Sequence, residues 1–131
     1  SSLYTVDETS YAMTKIGSSE GGYCDMSWAP SVNGGTMLAA YGPYILVVDT
    51  NTGNHMGAWT VSSYTGNAYV VGMAYVGTQA HDTYGQVDIF MVLCSDGTIY
   101  QTGFAYHSAE QKYVIFLSNI NKNKSKFYID R

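Results

Sequence analysis

The sequence has little proline, little cysteine, few charged residues and no long apolar run. Of its 131 residues, 2 are proline, 2 are cysteine and 12% are charged. A charge-rich disordered chain is excluded, because 46% of the residues are hydrophobic. No apolar run approaches the roughly 20 residues that a membrane-spanning helix needs, so we expect no membrane insertion. The sequence begins without a methionine or a signal peptide, which predicts a processed product or a piece of a longer protein.

The low charge and the low cysteine content also restrict the kinds of partner and of covalent cross-link that we expect. The net charge of −4 argues against a general affinity for nucleic acid. Cys24 and Cys94 can form at most one disulfide. Two buried free thiols are the simpler interpretation, although a bridge would suit a secreted protein. The length fits one domain, and 13 tyrosines and 14 glycines favour strands and turns over helices.

A strand-and-turn phrase occurs three times. LYTVDETSYAMTKIG (Leu3 to Gly17) and ILVVDTNTGNHMGAWTV (Ile45 to Val61) each join two apolar runs through an Asp-led polar turn. IYQTGFAYHSAEQKYVIFL (Ile99 to Leu117) is a looser copy, so the starts lie 42 and 54 residues apart. A repeat of roughly 40–50 residues made of strands and turns is typical of propeller blades.

Between these phrases, alternating apolar runs predict further strands, and we find no helical periodicity. Asn33-Gly34 and Asp96-Gly97 are hairpin signals, whereas the polar stretch 78–86 predicts a loop. The phrases CDMSWAP and VGMAYVG correspond in type. The chain is therefore expected to hold a leading strand pair, two four-stranded units at approximately 18–61 and 68–120, and a trailing strand at 127–130.

Phrases such as CDMSWAP with GTMLAAYG, and ILVVDTNTG, resemble β-propeller repeats of the quinoprotein-like and YVTN-like kind, which occur in bacterial and archaeal secreted and surface proteins. The resemblance implies an all-β module of about two and a half four-stranded antiparallel blades, located outside the cell or at its surface. Closed propellers have four to eight blades. Neighbours must then come from a longer parent chain or from self-association; a small β-sandwich or open barrel is the alternative.

Two carboxylates and one loop pair are candidates for ligand binding. Asp25 and Asp88 lie inside apolar strands, where an unpaired carboxylate is costly. They are expected to face a central channel or, alternatively, the exposed face of an edge strand. His81 and Asp82, in the predicted loop, are an exposed pair that either binds a metal or ligand or solvates the loop. No spacing of histidines or cysteines predicts a metal site.

Tyrosines near turns are the other candidates. Tyr41, Tyr44, Tyr64 and Tyr84 have the rigid ring and polar tip that stack on sugars and anchor protein interfaces. Trp28 and Trp59 are expected to pack on the sheets. No motif predicts a catalytic residue, and no cofactor is expected.

The resulting functional prediction is a non-enzymatic extracellular module of propeller type that binds a protein or glycan partner through its loops, or that assembles. One alternative is a structural subunit of a surface filament or layer. Another is a fragment of a larger propeller-containing enzyme.

Overall fold

A computed structural model describes residues 3–17, 22–60 and 68–119 of the chain. These residues form ten antiparallel strands and no helix, which confirms the all-β class. Accordingly, the described residues include no helix with the length and apolar character needed to cross a membrane. The strands are β1 (Tyr4–Val6), β2 (Met13–Lys15), β3 (Asp25–Ala29), β4 (Thr36–Tyr41), β5 (Tyr44–Val48), β6 (His55–Thr60), β7 (Val70–His81), β8 (Gly85–Cys94), β9 (Ile99–His107) and β10 (Lys112–Asn119).

The strands form three sheets, each of them a meander of chain neighbours. The leading hairpin is β1–β2, the first sheet is β3–β4–β5–β6 and the second sheet is β7–β8–β9–β10. None of the three sheets closes on itself. The two four-stranded sheets fall within the predicted units, whereas most of the predicted unit boundaries, and the predicted trailing strand, lie outside the described residues.

The Asp-led turns of the repeated phrase have one backbone geometry. The Asp7 N–H donates to the Ala12 carbonyl, and the Asp49 N–H donates to the Asn54 carbonyl. In each turn the fifth residue, Tyr11 or Gly53, has a positive φ, of 58° and 76° respectively. The leading hairpin is therefore the counterpart of β5–β6 in the first sheet.

The looser third copy has the same kind of turn between β9 and β10. His107 pairs with Lys112 across it, and Gln111 has a φ of 51°. Measured at the positive-φ residue, the copies lie 42 and 58 residues apart, from Tyr11 to Gly53 and from Gly53 to Gln111. The starts of the last two phrases lie only 54 residues apart, because β9 is longer than β5 and its start is not the equivalent position.

The three sheets stack in chain order. Leu3 and Ile16 of the leading hairpin pack on one face of the first sheet, against Leu46 and Val48. The opposite face of the first sheet packs on the second sheet, and this is the main core. Its members from the two sheets include Leu38, Ile45, Val47, Trp59, Met73, Phe90, Val92, Tyr100 and Phe104. We call the face toward the chain's N-terminal side the rear face of a sheet, and the other the forward face.

Corresponding residues of the two sheets occupy corresponding faces. Met26 pairs with Ala39, whose side chain faces the leading hairpin, so Met26 lies on the rear face of the first sheet. Met73, its counterpart in VGMAYVG, pairs with Val92 and lies on the rear face of the second sheet, within the main core. The sheets are therefore related head to tail; a two-fold sandwich would bring the two methionines onto the same interface.

Two local expectations were wrong. The stretch 78–86 is mostly strand, because β7 continues to His81 and only Asp82–Tyr84 forms the turn. Its polar side chains still alternate with the two-residue period of a strand, and so they fit the strand. Cys24 is an exposed free thiol, whereas Cys94 is buried as expected, and burial, followed by the charge of Asp96, raises the pKa of that thiol.

Trp59 packs on the sheets as predicted, with its ring 5.8 Å from the Phe104 ring. Trp28 departs from the same prediction, since 45% of it remains exposed. It lies on the rear face beside Met37, over Gly35, and the leading hairpin is too narrow to cover it. The hairpin signal beneath it is confirmed: Asn33 and Gly34 both have positive φ, as a type I′ turn requires.

Candidate binding surfaces

The forward face of the second sheet carries apolar side chains, and no other described sheet packs on it. Alternation along β8 sends Phe90 and Val92 into the core and sends Ile89, Met91 and Leu93 to the forward face. Leu93 is 43% exposed. Val87 and Ala105, on the same face, are fully buried, so only part of this face is open to solvent.

A groove of about 530 Å³ runs along this forward face. Its walls come from β7 and β8, and Gln101 of β9 lies in its lining. Gln101 is only 4% exposed, and its Nε2 donates no hydrogen bond. The remaining lining residues are Val76, Gly77, Thr78, Gln79, Ile89 and Met91.

Two bulges shape the groove wall. The register of β7 against β8 shifts between Val70 and Gly72 and again between Tyr75 and Gly77. The second shift leaves Val76 unpaired and 56% exposed at the groove. Bulges of this kind re-aim side chains and increase local twist. Sequence alternation predicted the strands here, but it contains no signal for which face another element covers.

Aromatic rings close one end of the forward face, at the β7–β8 turn. The Tyr84 ring lies 5.0 Å from those of His81 and Phe116 and 5.2 Å from that of His107, measured between ring centres. The His81 Nδ1 accepts the Thr83 N–H at 3.1 Å, which fixes the turn. The predicted candidates His81 and Tyr84 thus pack on each other, while Asp82 is exposed beside them.

A small charge network borders this aromatic cluster. The Lys112 Nζ lies 2.6 Å from the Glu110 carboxylate, and the His107 Nδ1 lies 3.4 Å from it. The hydrogen bond from Lys112, followed by its charge, holds the pKa of Glu110 below its ordinary value. The same pair raises the pKa of Lys112. Glu110 and Lys112 are exposed, so their ion pair adds little stability.

Each of the two candidate carboxylates bonds to the other four-stranded sheet; Asp25 lies half-buried on the edge strand β3, and Asp88 lies on the central strand β8. The Asp25 Oδ2 accepts the Met73 N–H at 2.8 Å, which joins the first sheet to β7. Asp88 is fully buried on the central strand β8 and accepts the Ser31 N–H at 2.8 Å and the Thr78 hydroxyl at 2.6 Å. Both side chains are therefore occupied in holding the two sheets together.

The tyrosine candidates do not converge on one site. Tyr41 and Tyr44 pair across the β4–β5 turn and are 40% and 43% exposed. That turn adjoins the start of β7, because the Val70 N–H donates to the Gly42 carbonyl. Tyr84 lies beyond the other end of β7. Tyr64 lies outside the described residues.

A cleft of about 490 Å³ lies between the outer strands β6 and β10, and no motif in the sequence predicted it. Trp59, Tyr106 and Tyr113 line it, with the Tyr106 and Tyr113 rings 5.0 Å apart. The Asn33 side-chain amide donates to the Tyr113 hydroxyl at 3.2 Å across the opening. The rings come from two different sheets, so these residues meet only because the two sheets stack.

Among the described residues, no group of three or more His, Cys, Asp or Glu side chains could hold a metal ion. In comparisons with protein-family models, curated proteins and solved structures, nothing matched the chain.

Proposed function

We propose that this chain is a non-enzymatic assembly module, built of propeller-type sheet units, that binds a protein partner through the forward face of the second sheet. The observation that carries the proposal is the head-to-tail stacking, which covers the forward face of the leading hairpin and of the first sheet. The same face of the second sheet is apolar and has no described neighbour. An extracellular or surface location remains a prediction from the propeller resemblance.

Three features support this reading. Each repeat unit in a stacked array buries its faces only against its neighbours, so an end unit needs a cap or a partner. The forward face holds apolar side chains around one buried, unpaired amide, which suits protein recognition. The carboxylates that first suggested chemistry, Asp25 and Asp88, are engaged between the sheets.

Hydroxyl-radical footprinting tests whether the face is used. Met91 lies on the forward face, and Met56, 46% exposed on the edge strand β6, is the internal control. We expect oxidation of Met91 to fall several-fold in the protein as it exists in its source cells, relative to the dilute purified chain. Met56 should react equally in both. Equal oxidation of Met91 in the two preparations would refute the proposal.

Glycan binding is a second candidate, favoured by the aromatic cleft between β6 and β10. Trp59 and Tyr113 offer ring faces for stacking, and Gln111 and Lys112 offer hydrogen-bond donors to sugar hydroxyls. Titration with maltotriose, cellotriose and chitotriose, followed by Trp fluorescence, tests it. Saturable quenching that Tyr113→Ala abolishes would support glycan binding, and no response to any of the three would count against it.

A further inference from the structure

The two four-stranded sheets are joined closely along one edge and stand apart along the other. At the β3–β7 edge, the Asp25 carboxylate of the first sheet accepts the Met73 N–H of the second at 2.8 Å. At the β6–β10 edge lies the cleft of about 490 Å³, with Trp59, Tyr106 and Tyr113 in its lining. These three side chains are only half-buried, so the cleft gives a ligand access to their rings.

The three rings that line the cleft do not lie parallel to one another. Tyr113 stacks on Phe104 with an angle of 11° between the ring planes, and Trp59 meets the same Phe104 ring at 77°. The planes of Trp59 and Tyr113 are therefore close to perpendicular. The Tyr106 ring is tilted by 56° to that of Tyr113, with 5.0 Å between the ring centres. The rings thus form a corner rather than a flat slot.

We propose that this aromatic corner binds a methylated ammonium group, as carried by choline or by trimethyl-lysine. The faces of Trp and Tyr rings are electronegative and attract a cation, and several rings around one cleft form the cage that suits a quaternary ammonium. Such a group needs no hydrogen-bond acceptor, because its nitrogen carries no hydrogen. The inference goes beyond the proposed function, since Tyr106 and Tyr113 lie on the rear face of the second sheet and not on its forward face.

The charges around the cleft also favour a cation. Among the described residues that line it, Lys112 is the one charged side chain, and its Nζ lies 2.6 Å from the Glu110 carboxylate, which offsets its charge. An adjoining cavity of about 220 Å³ shares Tyr113 with the cleft and has Asp49 in its lining. The chain as a whole carries a net charge of −4, so its mean field attracts cations.

Titration with choline and with its neutral carbon isostere, dimethylbutanol, tests the inference in the unaltered cleft. The two ligands have the same shape, and only choline carries a charge. Trp28→Phe leaves Trp59 as the only tryptophan, so that fluorescence reports on the cleft. We expect choline to quench Trp59 saturably and to bind at least about tenfold more tightly than the isostere. Equal affinities, or no saturable response to choline, would overturn the inference.

Three variants separate the aromatic corner from other causes of quenching. Tyr106→Leu removes one ring and should weaken choline binding by about fivefold. Tyr44→Leu, at a tyrosine 43% exposed on the β4–β5 turn, is the matched control and should leave binding unchanged. Lys112→Gln removes the cation of the lining and should tighten choline binding by about twofold. Circular dichroism checks that each variant folds.

The direction of the Lys112→Gln effect distinguishes a cation from a sugar. For a glycan the same change removes a hydrogen-bond donor, so it should weaken binding. Weaker choline binding in Lys112→Gln, or unchanged binding in a folded Tyr106→Leu, would contradict the proposal. Saturable binding of maltotriose, cellotriose or chitotriose without any binding of choline would assign the cleft to glycans and overturn it.

A last comparison identifies the source of the ammonium group. Trimethyl-lysine should bind and unmodified lysine should not, because an ammonium with N–H groups is strongly hydrated. Tighter binding of trimethyl-lysine than of choline would indicate a protein side chain as the source, and the reverse order would indicate choline. Equal binding of lysine and trimethyl-lysine would overturn the inference. Oxidation of Met91 reports on the other face of the sheet, so it tests the proposed function independently.

Discussion

Removing the Asp88 carboxylate should loosen the two four-stranded sheets from each other. Asp88 is fully buried and accepts the Ser31 N–H from the first sheet's β3–β4 loop and the Thr78 hydroxyl from β7. A hydrogen bond to a charged group contributes about 1.5–3 kcal/mol, and truncation leaves its donors without that acceptor. Thr78 keeps its contact with the Tyr75 hydroxyl at 2.7 Å, so part of the loss is recovered. We expect Asp88→Ala to lower the free energy of unfolding by about 3 kcal/mol.

Urea denaturation measures this effect, and a double-mutant cycle assigns it to the hydrogen bond. Thr78→Val removes the hydroxyl with little change in volume, and its coupling to Asp88→Ala should be about 1 kcal/mol. Asp82→Ala, on the exposed turn of the same hairpin, is the control and should change stability by less than about 0.5 kcal/mol. A loss below about 0.5 kcal/mol for Asp88→Ala would refute the assigned role.

Three further predictions concern the leading hairpin and its turn. Gly17→Ala should lower the free energy of unfolding by about 2 kcal/mol or more in urea denaturation, because φ is +57° and a Cβ would clash with the Thr52 carbonyl. Gly85→Ala is the control: its φ is +71° and the space around it is open, so the loss should be only about 1 kcal/mol. Tyr11→Gly should stabilise the chain by about 1 kcal/mol, since Tyr11 has a φ of 58° and is 77% exposed; no gain in thermal midpoint would contradict this. Hydrogen bonds from the N–H groups of the turn, first that of Ser10, lower the pKa of Asp7 in the folded chain. The stability that Asp7 contributes is therefore complete above pH 3.8 and is lost as the pH falls through its lower folded pKa. Asp7→Asn should make the free energy of unfolding fall less steeply at acid pH, and an unchanged fall would contradict this.

Local features of the fold were predictable because their causes are local. The Asp49 turn confirms its expected chemistry: its carboxylate accepts the Asn51 N–H, and Gly53 takes a positive φ. Asn33-Gly34 and Asp96-Gly97 likewise lie in the turns that they predicted. Such turns depend on a few neighbouring residues, so a single sequence specifies them.

Properties that depend on packing between sheets were not predictable. Asp88 looked costly in a strand, and only the approach of Ser31 from the first sheet explains why it is tolerated. Polar residues such as Thr78 predicted a loop, yet the two-residue alternation of the strand continues through them. Which face of a sheet is covered depends on neighbours distant in sequence, and so the open forward face had no signature in the apolar runs.

Nuclear Overhauser contacts of the methionine methyl groups test the head-to-tail arrangement most directly. All six methionines lie in described strands, and single Met→Leu variants would assign their signals. Met73 should contact core side chains of the first sheet, while Met26 should show no contact to the second sheet within a dilute single chain and should respond to a soluble paramagnetic probe. A direct contact between Met26 and Met73 methyl groups would instead require a face-to-face sandwich and would contradict the stacking.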